Sequence, residues 1–172
     1  MLQKMGLIMM ENRLSLNDSE WGIFEIGKLF EVEKVYGNPI DTYSNGRTPY
    51  ISTSSINNGV VNFITSDEKS LSKGNCISVD PIGGKAFYHE YDFVGRGFSG
   101  ASINLLRNSN LNKNNSLFIC RAIENTASKK ASYGNLFNSN RLKKGKILLP
   151  IDDNSNCDWK FMEEYIKQEQ KY

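Results

Sequence analysis

Short runs rich in β-branched and aromatic residues, separated by turn residues, dominate the middle of the chain. Residues 49–53 and 60–64 flank Asn57-Asn58-Gly59, and an Asn-Gly pair supplies the positive φ angles that a tight reversal requires. Residues 76–79 and 86–89 flank a glycine-rich turn in the same way. The pattern predicts two hairpins formed by neighbouring runs.

Helical spacing is found in two later segments. Within residues 116–124, side chains recur at spacings of three and four, which is typical of a helix. Asp158 is well placed to cap a second helix that begins at Trp159. The remaining short β-type runs are residues 21–26, 102–106 and 146–150. Together these patterns predict a mixed α/β (α+β) fold, a strand-rich single domain with a C-terminal helix.

The chain length fits one domain. With 172 residues and 39% hydrophobic content, it can build one sizeable core. The methionine-rich and then polar residues 1–19 are expected to be a leader or the tail of an upstream element. Residues 20–157 are expected to form the ordered domain, and residues 158–172 to begin a helix beyond it.

Composition excludes several classes of protein. The apolar runs fall far short of the roughly 18–20 residues that cross a bilayer, and the first one is too short for a secretory signal. Cys76, Cys120 and Cys157 are far apart and lack CxxC spacing, which argues against both a disulfide framework and a thiolate zinc site. We expect a cytoplasmic protein with reduced thiols and no association with membranes.

The residue types needed for catalysis are sparse. His89 is the only histidine, so paired-histidine metal sites are excluded. Its setting is typical of an exposed or hydrogen-bonded strand end, with a general base as the alternative. Residues 95–100 match GxGxxG, but a β-type run rather than a helix follows, which weakens a dinucleotide interpretation. We expect no metal, no cofactor and no catalytic site in this chain.

Charge is distributed unevenly although the net charge is only +2. Residues 91–150 carry 10 Lys and Arg against 2 Asp and Glu, whereas residues 1–90 carry 8 against 11. No acidic residue lies between Glu124 and Asp152. A one-sided basic segment is expected where a polyanion meets one face of a protein. The alternative is a solvated loop whose acidic partners lie nearby in space.

Four segments with characteristic residues occur in a fixed order. They are residues 21–30, 49–60, 84–89, and 146–153 followed by 158–166. In this order and at these separations they resemble the target-recognition domain of type I restriction–modification specificity subunits, over about residues 11–167. The resemblance implies a subunit that binds double-stranded DNA and leaves chemistry to partners.

The resemblance also implies the identity of those partners. Modification subunits that carry S-adenosylmethionine would methylate adenine, and a long helix after each recognition domain would pair with a counterpart. Specificity subunits usually carry two recognition domains, whereas this chain has one, so we expect a specificity subunit or half-subunit that pairs with a second specificity half, a truncation, or a single domain. Alternatives are the recognition domain of a fused methyltransferase–endonuclease and a protein- or carbohydrate-binding module.

Sequence-specific DNA binding requires cations for phosphates and polar side chains for base edges. The acid-free interval supplies both types, and neighbouring turns supply further candidates. The expected DNA-binding residues are Ser54, Lys85, Arg96, Lys130, Tyr133, Asn138, Asn140, Arg141, Lys143 and Lys144.

One face of the predicted C-terminal helix is apolar. Its residues are Trp159, Met162, Tyr165 and Ile166. This face either packs back on the domain or continues as a coiled-coil spacer that pairs with a second chain.

Overall fold

A computed structural model describes residues 12–127 and 137–172. The helices of these residues are α1 Ile26–Leu29, α2 Lys113–Ala127, α3 Ser139–Lys143 and α4 Trp159–Glu169. The strands are β1 Glu20–Glu25, β2 Glu31–Lys34, β3 Asn45–Ile51, β4 Val60–Ile64, β5 Leu71–Ser72, β6 Cys76–Val79, β7 Ala86–His89, β8 Phe93–Gly95, β9 Asn104–Arg107 and β10 Lys146–Ile151. The predicted strand-rich mixed α/β fold with a C-terminal helix is confirmed.

The described strands form three sheets. β1 and β10 make an antiparallel ribbon. A second sheet has the order β2-β9-β6-β7, and every neighbouring pair in it is antiparallel. A third has the order β4-β3-β8-β5, in which β3 and β8 run parallel. Both predicted hairpins, β3–β4 and β6–β7, are confirmed by their pairing.

The main core lies where α2 and α4 cover the ribbon and the second sheet. Ile119 and Ile123 are four residues apart on α2, so both point inward, and each is fully buried. Met162 of α4 is also fully buried in this cluster. α4 begins directly after Asp158, as the sequence predicts, because the Asp158 carboxylate accepts a hydrogen bond from the Phe161 amide at 2.9 Å. Within the described residues, every helix is too short or too polar to cross a membrane.

Residues 12–19, part of the predicted leader, contact the end of α4. The Leu14 amide donates to the Gln168 side-chain carbonyl at 2.6 Å, and the Gln168 amide donates back to the Leu14 carbonyl at 2.9 Å. Arg13 forms an ion pair with Glu169 at 2.7 Å. This segment therefore packs on the domain that follows it. Residues 1–11 lie outside the described residues.

Candidate nucleic-acid interface

Two loops leave the same edge of the third sheet. The parallel strands β3 and β8 finish side by side at Ile51 and Gly95. The segments that follow them, residues 52–59 and 96–103, therefore emerge at one edge. The Arg96 amide donates to the Ile51 carbonyl at 2.9 Å, which ties the two exits together.

The first of these loops packs against the second sheet. The Asn58 side-chain amide donates to the Tyr88 carbonyl on β7 at 3.1 Å. A Cβ on Gly59 would make ordinary contact with the Phe87 ring at 3.5 Å, so this residue also lies close to β7. Residues 57–59 therefore lie beside β7, the strand that follows the β6–β7 turn, residues 80–85.

The predicted basic segment joins the same region through Phe137. The Phe137 amide donates to the Pro81 carbonyl in the β6–β7 turn at 2.7 Å. The Asn104 side chain, at the start of β9, donates to the Phe137 carbonyl at 3.2 Å. β9 itself begins beside the other loop, because the Ile103 amide donates to the Arg96 carbonyl at 3.0 Å. We refer to residues 52–59, 80–85, 96–103 and 137–144 as the loop surface.

α3 carries the basic side chains away from Phe137 toward α1. Leu142 is fully buried and fixes the helix on the core. Lys143 packs against α1, since a Cβ on Gly27 would lie 2.9 Å from its own Cβ. The side chains of Asn140, Lys143 and Lys144 are exposed. Neither lysine forms an ion pair with any described carboxylate.

Asn138 has a structural role that was not predicted. Its side-chain oxygen accepts a hydrogen bond from the Arg141 amide at 3.1 Å, so it is the N-cap of α3. The predicted base contact would compete with this cap. Arg141 lies with its guanidinium carbon 5.8 Å from the centre of the Phe137 ring.

Lys85 was expected to contact phosphate, and the structure places its ammonium group beside an acidic side chain. Its ammonium lies 3.4 Å from the carboxylate of Glu124 on α2. The same carboxylate accepts a hydrogen bond from the Ala86 amide at 3.3 Å and lies 3.7 Å from Arg121. Glu124 is only 16% exposed, so this acid is fixed beside the turn. Lys85 is therefore partly neutralised by an acid that is distant in sequence.

Arg96 and Ser54 are engaged within their own loops. The Arg96 guanidinium donates to the Ala101 carbonyl at 2.5 Å and to the Ser99 hydroxyl at 3.0 Å. It also lies 4.3 Å from the centre of the Phe98 ring. The Ser54 hydroxyl accepts from the Ile56 amide at 3.3 Å, a local turn contact. Both residues shape the loop surface, and their contacts within it compete with direct contacts to DNA.

The GxGxxG string has a packing explanation. A Cβ on Gly97 would lie 2.3 Å from the Val35 carbonyl, and one on Gly95 would lie 2.8 Å from a methyl group of the Val35 side chain. These glycines therefore permit close approach of the backbone after β2. The string is followed by β9 and not by a helix, which agrees with the weak dinucleotide interpretation.

Two exposed side chains on or beside this surface were missed by the sequence analysis. Tyr36 is 72% exposed, and its backbone packs closely against Gly97. Ile56, in the loop after β3, is 66% exposed. Treating Val35-Tyr36-Gly37 as an extended continuation of β2, with a period of two, would have placed Tyr36 on the face opposite Val35.

Lys130 and Tyr133 lie outside the described residues. They remain predictions from the sequence.

The apolar face of α4 packs on its own domain. Trp159 meets Phe30 edge to face with ring centres 6.1 Å apart, and Tyr165 meets Phe118 of α2 in the same way at 5.8 Å. Ile166 on the same face is half-buried. Met162 is fully buried within its own domain, which agrees with the first alternative, a face that packs back on the domain. Intramolecular packing satisfies these side chains.

This packing predicts the behaviour of the purified chain. We expect sedimentation at micromolar concentration to show a monomer, because α4 offers little unburied apolar area for a coiled-coil seam. A concentration-dependent dimer that is lost on replacing Ile166 with lysine would contradict this expectation.

The potentially reactive groups are buried. Burial raises the pKa of the Cys76 and Cys157 thiols to about 12 and that of Cys120 further still. All three cysteines are free thiols. Burial also lowers the pKa of His89 to about 4. Among the described residues, no group of three or more His, Cys, Asp or Glu side chains is arranged to hold a metal ion.

Comparison with known proteins defines the class of the domain. The family described as "Type I restriction modification DNA specificity domain" matches residues 18–171. This chain therefore belongs to that family, as its resemblance to target-recognition domains predicts. The match includes the loop surface and α4.

Individual relatives agree with this assignment. Over 154 residues the chain is 35% identical to the "Type II restriction enzyme BgcI specificity subunit S.BcgI" of Heyndrickxia coagulans, covering 88% of this chain and 44% of the relative. This chain therefore spans less than half the length of that relative.

Solved structures show the same fold. The type I restriction–modification S subunit from M. genitalium matches with a TM-score of 0.64 at 15% identity, covering 92% of this chain and 41% of that one. The HsdS subunit from Thermoanaerobacter tengcongensis matches with a TM-score of 0.56 at 15% identity, covering 88% and 37%.

Proposed function

We propose that this domain binds a specific sequence of double-stranded DNA and directs partner enzymes to it. Its membership of the DNA specificity family, over residues 18–171, carries the proposal. The geometry supports it, because four separate segments converge to form the loop surface. Loops held on a rigid scaffold are a common way to present contacting residues.

The charges of the described residues give this proposal a physical basis. Lys143 and Lys144 are exposed at the C-terminal end of α3, within about 9 Å along the helix axis of its N-cap, Asn138. Such cations attract the phosphate backbone irrespective of sequence, while neutral side chains such as Asn140 read base edges. The partly neutralised Lys85 would add less to this attraction than the sequence predicts.

The chemistry would belong to partner proteins. We propose that a modification subunit holding S-adenosylmethionine methylates the DNA that this domain selects, in the cytoplasm, with a second specificity half completing the target. Support comes from membership of the family. It also comes from a solved structure that describes complex assembly of the type I R-M system and matches this chain with a TM-score of 0.60.

A second candidate concerns the class of those partners. The 35% identical relative is named as the specificity subunit of a type II restriction enzyme. We therefore also propose a type II enzyme as a possible assembly for this domain. The DNA-binding role of the loop surface is the same in both assemblies.

Replacing Lys143 with alanine is expected to weaken binding to every DNA sequence alike. Alanine keeps the Cβ that packs on Gly27, so only the cation is removed. The slope of log K against log salt should fall in magnitude by about one, because one phosphate contact is lost. Fluorescence anisotropy with matched and scrambled duplexes at several salt concentrations measures both quantities.

Lys160→Ala is the matched control for this experiment. Lys160 is an exposed lysine on α4, outside the loop surface, so its loss should leave the salt slope unchanged. Equal slopes for the parent and Lys143→Ala would remove α3 from the DNA interface. Failure of the parent to be retained on DNA resin at about 0.1 M salt would favour a module for neutral ligands.

A further inference from the structure

A buried chain of hydrogen bonds connects the loop after β3 to the centre of the second sheet. The Asn58 side-chain nitrogen lies 3.4 Å from His89 Nδ1. The other ring nitrogen, Nε2, lies 2.7 Å from the Ser78 hydroxyl on β6. His89 is fully buried on β7, and Ser78 is nearly so. The DNA-binding proposal does not use this histidine.

The contacts indicate which ring nitrogen carries the proton. The Asn58 nitrogen also lies 3.1 Å from the Tyr88 carbonyl, which can only accept a hydrogen bond, so this atom is the amide donor. The two amide hydrogens face three acceptors, the Tyr88 carbonyl, the Tyr91 hydroxyl and His89 Nδ1. These contacts favour an unprotonated Nδ1, with the ring proton on Nε2 and donated to Ser78. The neutral ring satisfies both neighbours. A second proton on Nδ1 would face the amide hydrogens of Asn58.

Asn58 lies in a backbone conformation that needs support. Asn57, Asn58 and Gly59 have φ angles of 52°, 57° and 78°, so three successive residues are left-handed. Two of them carry a Cβ, for which this region is disfavoured. The turn is closed at its ends by hydrogen bonds from the Gly59 amide to Ile56 and from the Ser52 amide to Gly59.

The segment that this turn holds is part of the loop surface. Ser54 and the exposed Ile56 precede the turn directly, and Ile51 before them is tied to Arg96. The position of residues 52–56 therefore depends on where the turn is anchored. Asn58 provides the side-chain anchor to β7.

We propose that His89 is a positioning residue for DNA recognition, which through Asn58 fixes residues 52–59 in the conformation that contacts DNA. The inference rests on the proposed function of the domain. It assigns to a buried residue, with no access to DNA, a role in sequence discrimination. A loop that is ordered before binding loses less conformational entropy when it binds. This gain in affinity applies only to DNA sequences with which the loop makes its contacts.

Two glycine substitutions at left-handed residues test the proposal. Asn58→Gly keeps the left-handed backbone accessible and removes the amide that contacts Tyr88, His89 and Tyr91. Ser155→Gly makes the same backbone change at an exposed left-handed residue outside the loop surface. The probe is a duplex enriched from a random pool by the parent chain, compared with a scrambled duplex of the same composition.

The expected result is a selective loss of discrimination. Asn58→Gly should reduce the preference for the enriched duplex about tenfold, with unchanged affinity for the scrambled duplex, while Ser155→Gly should retain the parent preference. Measurements are made under conditions in which far-ultraviolet circular dichroism shows that all three proteins are folded. Parent-like preference in Asn58→Gly, or an equal loss in Ser155→Gly, would overturn the proposal.

Nitrogen-15 NMR of the histidine ring separates this proposal from the proposed function. The parent should show an unprotonated Nδ1 and a protonated Nε2 near neutral pH, and the Nδ1 resonance should shift in Asn58→Gly. The opposite tautomer would overturn the positioning role whatever the DNA result. If the parent enriches no sequence, the DNA-binding function itself fails.

Discussion

Replacing Phe137 with alanine is expected to lower the free energy of unfolding by about 3–5 kcal/mol, the usual range for a fully buried phenylalanine. Its side chain is 1% exposed in the main core. The substitution leaves a cavity where the chain enters α3. Because the Phe137 backbone also joins the β6–β7 turn to β9, the loop surface should lose order together with the core.

Phe63→Ala is the matched control for that loss. Phe63 lies on the edge strand β4 and is 51% exposed, so the same deletion removes far less buried area. The free energy of unfolding of both variants is measured by urea denaturation, with the midpoint and the slope fitted for each. Similar losses in the two variants would contradict the packing of Phe137.

Acidification from neutral pH to about 4.5 is expected to cost the domain about 2 kcal/mol through His89 alone. Burial lowers the pKa of this histidine from 6.5 to about 4 in the folded state. Below pH 6.5 the unfolded chain therefore binds a proton that the folded chain excludes. Stability from this group is fully present above the unfolded value and is lost as pH falls toward 4.

The sequence and the structure make this test specific. His89 is the only histidine, so no other imidazole titrates in this window. Hydrogen bonds from Lys73 and Lys167 are the main cause of the lowered pKa values of the Asp92 and Glu163 carboxyl groups. The contribution of these carboxylates to stability is lost at lower pH than that of His89. His89→Gln keeps an acceptor and a donor but does not titrate. Between pH 7 and 4.5 this variant should therefore lose about 2 kcal/mol less unfolding free energy than the parent. Identical pH dependence of parent and variant in urea denaturation would contradict the buried neutral ring.

Local patterns predicted most of the fold because its elements are determined locally. The β6–β7 hairpin forms from neighbouring runs around a short turn, and α4 begins at Asp158 because its side chain caps the first turn. The parallel pairing of β3 with β8 could not be predicted in the same way. It joins strands that are distant in sequence, and no local residue specifies the partner.

The candidate site was harder to predict because its charges have distant partners. Lys85 is 39 residues from Glu124, and only the packing of α2 beside β7 brings them together. Asn138 is a residue type that can read base edges, but its side-chain oxygen caps α3. Both roles would use the same side-chain amide. The sequence alone identified the basic segment. It did not show which polar side chains of that segment are engaged in contacts within the fold.

Selection of duplexes from a random pool by the parent chain tests the central claim most directly. DNA recognition by the loop surface predicts enrichment of one short sequence motif. Lys143→Ala should enrich the same motif but recover less bound DNA in each round, and Lys160→Ala should recover as much as the parent. A pool that stays random after repeated rounds at low salt, with and without a modification subunit, would contradict the claim that this domain reads DNA sequence.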